Sequence, residues 1–288
     1  MREQTKSSGW SSLAISACSA GLIVAGCSGS SGSKGITIPA ARTFKLADFS
    51  PARTVPNRAT TVSFRVDQPS GKPLTPSGYR RGAGPHTGVH LIIVKSDLST
   101  IIHDHPPVGA NGRLDQSLVF PSPGRYRVIV DLYPKGPQRN FQLFTWIRVA
   151  GAAKAHPLPQ YNPSVTVDGY RFTIRGKPHL KAIEASLMTV TVTDPSGRPA
   201  RFTPWFGALA HAIFFHAGSL DYFHTHVCAP GATGCTSIFA GKSVTGSSAT
   251  PGKLNVGVLL PLPGTWRLFL QCRVSGHVLT APFTLHVS

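Results

Sequence analysis

Residues 90–107 read HLIIVKSDLSTIIHDHPP, and residues 211–230 read HAIFFHAGSLDYFHTHVCAP. In both stretches a histidine opens an apolar run, a second follows thirteen residues later, and a third stands two residues beyond that. Neutral imidazoles suit Zn(II), Cu(II) or Ni(II), and three of them on one face can reach a common ion at about 2 Å per Zn–N bond. Treated as hairpins, the stretches bring the histidines together. If Val94 faces Ser99 across KSDLS, then Ile92 faces Ile101 and His90 faces His103. In the second stretch Phe215 would face Leu220, Ile213 Tyr222 and His211 His224. His105 and His226 lie two residues on and share those faces. The expectation is one three-histidine site in each stretch, His90, His103 and His105 in the first, His211, His224 and His226 in the second, for copper or zinc.

Neighbouring residues refine this. His86, in the loop before His90, is a candidate fourth ligand, and Asp131 and Gln271 stand at matched strand positions, so a carboxylate would join only the first site. The ligands are nitrogen alone, which does not point to a thiolate store of Cu(I). A blue-copper centre needs a ligand cysteine with a downstream methionine, whereas Met188 lies outside the cluster and no methionine follows Cys272. Two other readings stay open. A histidine at a strand end can brace a loop carbonyl, or it can contact a partner.

Catalytic patterns are absent from the sequence: no G-x-S-x-G, no H-E-x-x-H and no Gly-rich phosphate loop. With 11 acidic residues in all, a glycosidase-type carboxylate pair has no support. The chain reads as a binding protein and not as an enzyme.

The elements that must hold these histidines repeat as well. VSFRVDQPSGKPL at 62–74 matches VTVTDPSGRPA at 190–200. FPSPGRYRVIVDL at 120–132 matches LPLPGTWRLFLQC at 260–272, and a last strand closes each copy. A conserved order of elements marks a duplicated domain. Short runs of Val, Ile, Thr and Phe between turns predict an all-β fold, and 25 prolines with 29 glycines would break long helices. The expected architecture is two tandem immunoglobulin-like or cupredoxin-like β-sandwich domains, 43–150 and 161–288, joined by a linker at 151–160.

The N-terminus sets the compartment. Residues 1–26 carry a slightly basic start and a modestly apolar run, as an export signal does. Val24-Ala25-Gly26-Cys27 resembles the bacterial lipobox, which implies a diacylglyceryl group on Cys27 and a flexible tether over 27–42. The implied location is the outer face of a cell membrane, anchored by lipid. There Cys228 and Cys235, which bracket turn formers, are expected to form a disulfide. Cys272 shares a strand face with Trp266, Leu268 and Leu270, so it should be a buried thiol. Lys and Arg number 29 against those 11 acids, a net charge of +18. The basic residues are scattered in sequence and not interleaved with aromatics, which disfavours nucleic acid. Anionic lipid, an anionic wall polymer or a protein partner accounts for them better.

GVHLIIVKSDLSTIIHDHPP, PSPGRYRVIVDL, DGYRFTI, GALAHAIFFHAGSLDYFHTHV and LPGTWRLFLQCRVSGHVLTAPFTLHV together resemble secreted actinobacterial proteins with tandem immunoglobulin-like domains, akin to YtkA-like or heavy-metal-associated exported proteins. The resemblance spans nearly all of 43–288 and implies an extracytoplasmic pair of sandwiches with a loose link to metal. In the second copy Val227-Cys228 replaces the proline after H-x-H.

Overall fold

The computed structural model describes residues 43–288 apart from 83, 137–139, 155, 233–234, 236–237 and 240–241, and the side chains of 238–239 and 242–243. Cys27 and the expected export signal at 1–26 lie outside the described residues. The first half holds β1 (Lys45–Ser50), β2 (Arg53–Thr54), β3 (Ala59–Asp67), β4 (Val89–Lys95), β5 (Ile101–Asp104), β6 (Arg113–Val119), β7 (Gly124–Leu132) and β8 (Phe141–Val149). The second holds β9 (Ser164–Val167), β10 (Tyr170–Ile174), β11 (Ser186–Thr193), β12 (Phe202–Thr203), β13 (Ala210–His216), β14 (Tyr222–Cys228) and β15 (Ile238–Phe239). It continues with β16 (Lys242–Ser243), β17 (Gly246–Ser247), β18 (Lys253–Val258), β19 (Gly264–Val274) and β20 (His277–Val287). One short 3₁₀ turn at Pro76–Gly78 is the helical element among the described residues.

The fold is all-β and of β-sandwich type, as expected from the sequence. In the first half a three-stranded sheet, β1-β3-β6, faces a five-stranded sheet, β2-β8-β7-β4-β5. Val62, Phe64 and Val66 meet Leu91, Ile93, Tyr126, Val128 and Ile147 between them. In the second half Val190, Val192, Leu254 and Val256 meet Phe214, Trp266, Leu268, Leu270, Cys272 and Phe283. Apart from the separate β15-β16 pair, its strands belong to one sheet, because β17 pairs parallel with β14 and antiparallel with β18 and so carries the ladder from one layer to the other. Gly246 sits at that corner, where a Cβ would fall 2.3 Å from the Asn255 carbonyl oxygen and 2.9 Å from that of His226. No other residue fits there.

β4 and β13 are buried on both faces, as are the central parts of β7 and β19. Leu91 and Ile93 enter the first sandwich core, while Ile92 and Val94 point the other way. Ala210, Ala212 and Phe214 enter the second core, and Ile213 and Phe215 point away from it. These outward residues meet one another. Ile92, Val94, Leu98 and Ile129 of the first half form one apolar cluster with Ile213, Phe215, Leu220 and Phe269 of the second. Each side chain fully buried there contributes about 1.5–3 kcal/mol. The two halves thus share a third core, and Arg42–Ser288 is one compact unit.

The hairpin register differs from the expected one. Ile92 pairs with His103 and Val94 with Ile101, while Ile213 pairs with His224 and His211 with His226. The loops are four residues long as expected, but each begins one residue later, at 96–99 and 217–220. Lys95 closes the first with Thr100, and His216 closes the second with Asp221. Each loop places one leucine at positive φ, Leu98 at 58° and Leu220 at 58°. Both leucine side chains are buried in the shared core, and that burial offsets the backbone cost. A shift of two in the pairing keeps every side chain on its face. The histidines therefore stay together.

Candidate metal centre

The six histidines singled out in the sequence do not form two separate sites. His90, His103, His105, His211, His224 and His226 lie within one continuous set of ring contacts, with centroid separations from 3.9 to 6.2 Å. His86 joins them, its ring 4.8 Å from that of His226. Three groups of three can offer ring nitrogens within 4.8 Å of one another: His90-His103-His105, His90-His224-His226 and His103-His211-His224. The first is the set expected for copy one. The set expected for copy two is not among the groups found in the described residues. Its members are completed by His90 or His103 across the interface. The reason is the shared core, which presses the outward faces of β4 and β13 together.

The contacts across the interface are reciprocal. His103 Nδ1 lies 2.9 Å from Gln271 Oε1 of the other copy. His224 Nδ1 lies 3.9 Å from Asp131 Oδ2, again of the other copy. Asp131 and Gln271 are thus matched in position, as the sequence suggested, but each serves the opposite copy's histidine. The covering loops cross over in the same way. Phe206 stacks on His105 at 3.7 Å and 6°, and His86 Nε2 lies 3.1 Å from His226 Nδ1. Trp205, Phe206, Tyr133 and Tyr222 were not expected at the site. The aromatic pair in Pro204-Trp205-Phe206-Gly207, next to the histidine strand, was the available signal.

The hydrogen bonds fix where the protons sit. A backbone carbonyl can only accept, so His90 Nε2–H donates to Pro85 O at 2.7 Å and His211 Nε2–H donates to Trp205 O at 3.0 Å. In neutral rings the other nitrogen then carries a lone pair. His211 Nδ1 accepts from His224 Nε2–H at 3.2 Å, which leaves a lone pair on His224 Nδ1. Likewise Gln271 Nε2–H donates to Thr280 Oγ1 at 3.0 Å, so Gln271 Oε1 accepts from His103 Nδ1–H. His105 Nε2–H then donates to His103 Nε2 at 3.3 Å. Three buried ring nitrogens remain without a hydrogen-bond partner: His90 Nδ1, His224 Nδ1 and His226 Nε2. They belong to one of the three groups above. Leaving each unpaired costs about 1–3 kcal/mol.

Burial keeps these rings neutral. Desolvation, then neighbouring imidazoles, hold His90, His103, His224 and His226 well below the ordinary value of 6.5. Burial lowers His211 to about 4 and His105 to about 2. Asp131 moves the other way, up to about 6 through desolvation, although Gln142, Asn140 and Tyr222 donate to it. Beside it, a lone pair on His224 Nδ1 faces a carboxylate oxygen. Two acceptors facing one another call for a cation or proton between them.

The cysteines behave as expected. Cys228 and Cys235 are bonded, with Cα atoms 6.2 Å apart. Cys272 is a buried free thiol whose pKa burial pushes up to about 12.

Residues 165–288 match the family model described as "Domain of unknown function (DUF8832)", which takes in the second copy. Comparison with curated proteins gives no match. Among solved structures, the chain is similar to FdeC, an Escherichia coli adhesin, at 13% identity over 86% of this chain and 65% of that one, with a TM-score of 0.25. Invasin, a bacterial integrin-binding protein, aligns at 16% identity over 85% of this chain and 39% of its own, also at 0.25. A putative membrane anchored protein from Corynebacterium diphtheriae aligns at 11% identity over 85% of this chain and 57% of its own, at 0.24. The chain therefore spans less than two thirds of each of these structures. TM-scores of this size say nothing about what the chain binds.

Proposed function

We propose that this is an exported protein that binds one divalent transition metal ion, copper or zinc, in a histidine cluster shared by its two halves, for sequestration or delivery. The observation that carries the reading is the set of unpartnered nitrogens on His90, His224 and His226. Hydrogen bonds already fix two of these as lone pairs, so the ligands are set in the required tautomer before an ion arrives. Asp131, close to His224, would offset part of the ion's charge. Every two of the three candidate groups share one histidine, so one ion per chain is the natural stoichiometry. A disulfide fits an oxidising compartment. Lipid attachment at Cys27 would hold the protein on the outer membrane face.

A second reading draws on the carbonyl bonds of His90 and His211. The histidines would then be braces in a surface interaction module. Elemental analysis separates the two. After incubation of residues 28–288 with Cu(II) or Zn(II) and desalting, the metal reading expects close to one ion per chain, lost when His90 and His224 are both changed to Ala. Retention of no metal by a folded protein would settle the matter for bracing.

A further inference from the structure

The outward face of the five-stranded sheet, beyond the part that docks on the second half, carries a second feature toward its β2 edge. In the first half, β8 runs between β2 and β7. Arg53 pairs with Arg148 on one side, and Arg125 pairs with Arg148 on the other. The three guanidinium groups therefore stand in a row across adjacent strands, about 4.8 Å apart per strand. All are exposed, and among the described residues none has an ion-pair partner. Like charges directly opposed across a sheet are destabilising. Beside the row are two exposed aromatic side chains, Trp146 at 38% and Phe144 at 48% of full exposure. Arg125 lies over the Trp146 ring at 4.3 Å and Arg127 over Phe144 at 4.5 Å.

Arg127 also donates to Ser219 O and Leu220 O of the second half, but strand pairing does not require the rest of this surface. The same strand pairing recurs in the second copy between β19 and β20, where Thr265 faces His286, Arg267 faces Thr284 and Phe269 faces Pro282. Of the first copy's arginines on these strands only Arg127 has an arginine counterpart, Arg267, and neither exposed aromatic side chain has an aromatic one. The cluster is not legible along the chain, because its members come from three strands spread over residues 53–148. Folding gathers what the chain scatters.

We infer that this face is a binding site for an anionic polysaccharide lying across the strands. Guanidinium groups take carboxylate or phosphate groups in a bidentate way, and exposed ring faces accept the C–H faces of sugars. The rings lie mid-strand in β8 and not at loop tips, where a residue that inserts into a bilayer would be placed. A net charge of +18 adds long-range attraction for such a polymer. The inference stands apart from the metal reading, since no histidine of the cluster takes part.

The test is binding of the full chain to polygalacturonate, followed by titration and by acrylamide quenching, with the Trp146 signal taken as the difference between the unaltered chain and Trp146→Phe, because three other tryptophans also emit. Binding should weaken with salt, and bound polymer should shield Trp146 from quencher. Arg125→Thr with Arg148→His introduces the residues that the second copy carries at those places, so the strands should be retained, and affinity should fall about tenfold or more. Arg171→Thr with Arg175→Thr, which removes two exposed charges from the second half, should change it little. An equal loss from that remote pair would overturn the site, as would absence of Trp146 shielding in the unaltered protein. Tighter binding to poly-glutamate, to single-stranded DNA or to phosphatidylglycerol vesicles than to polygalacturonate would overturn the choice of occupant. Should the platform variant fail to fold, the quenching result in the unaltered chain decides.

Discussion

His103 of the first copy donates from Nδ1 to Gln271 Oε1 of the second at 2.9 Å, across the interface between the two halves. The bond sets the ring's tautomer and leaves Nε2 facing the other histidines. Gln271→Leu should remove this anchor. It should cost about 1–3 kcal/mol of stability by leaving a buried donor unpaired, and change metal affinity little, since His103 lies outside the unpartnered set of His90, His224 and His226. Denaturant unfolding and metal titration of the same variant check both. A tenfold or larger loss of metal affinity would place His103 among the ligands.

Acid should unfold the protein early. The cluster histidines have folded pKa values below their unfolded value of 6.5, so between the two the unfolded state binds more protons and stability rises with pH. Their contribution is complete above pH 6.5 and is lost as pH falls towards about 4 for His211 and about 2 for His105. His211 alone accounts for a few kcal/mol over that window. Asp131 has the opposite sign: raised to about 6, it favours the fold at low pH and loses that contribution as pH rises from 3.8 through 6. One acid against several histidines leaves the net direction unchanged. Unfolding free energy measured between pH 7 and pH 4.5 should fall steeply. A flat profile would contradict the buried, neutral cluster. Because the rings are neutral well below 6.5, a bound ion should also survive to lower pH than free histidine would allow.

The outward faces of β4 and β13 carried more information than their spacing alone. HLIIV and HAIFF are continuous apolar runs, not alternating ones, and a continuous run is what a strand covered on both faces requires. That pattern was legible, as were the duplication, the paired cysteines and the strand face of Cys272. The hairpin register was not, because a four-residue loop can start at either of two places, and the choice depends on where Leu98 and Leu220 find cover. Convergence of the two histidine sets was not legible either. It depends on the docking of one sheet against another, and side chains such as Phe206 and Tyr133 reach the site from loops and strand ends.

The shared core should couple stability to the site. Phe215 is fully buried, and its ring neighbours are Tyr222 and Phe269. Phe215→Ala should cost about 3–5 kcal/mol and also weaken metal binding, since the histidines come from both sides of that interface. Phe172→Ala, in the core of the second sandwich, should cost a similar amount while sparing affinity in the folded protein. Equal effects of the two on metal titration would argue against a site built on docking.

Thiol chemistry offers a simple check of the second sandwich. Cys272 should resist maleimide in the folded protein, because burial holds its thiol protonated at neutral pH. It should label once the chain is unfolded, and peptide mapping should find Cys228 joined to Cys235. Labelling of Cys272 under native conditions would displace it from the strand face that holds Trp266 and Leu270.

Joining the two copies in one chain has a consequence for what the interface can contain. In a symmetric homodimer every residue at such a contact would appear twice, so an acid placed beneath one histidine would be placed beneath its mate as well. Covalent linkage removes that restriction and keeps the partners at high effective concentration. Here one side holds Asp131 near His224, while the other holds Gln271 against His103. The cluster therefore has a single carboxylate and a distinct polarity, with one end suited to a cation and the other to a neutral ring.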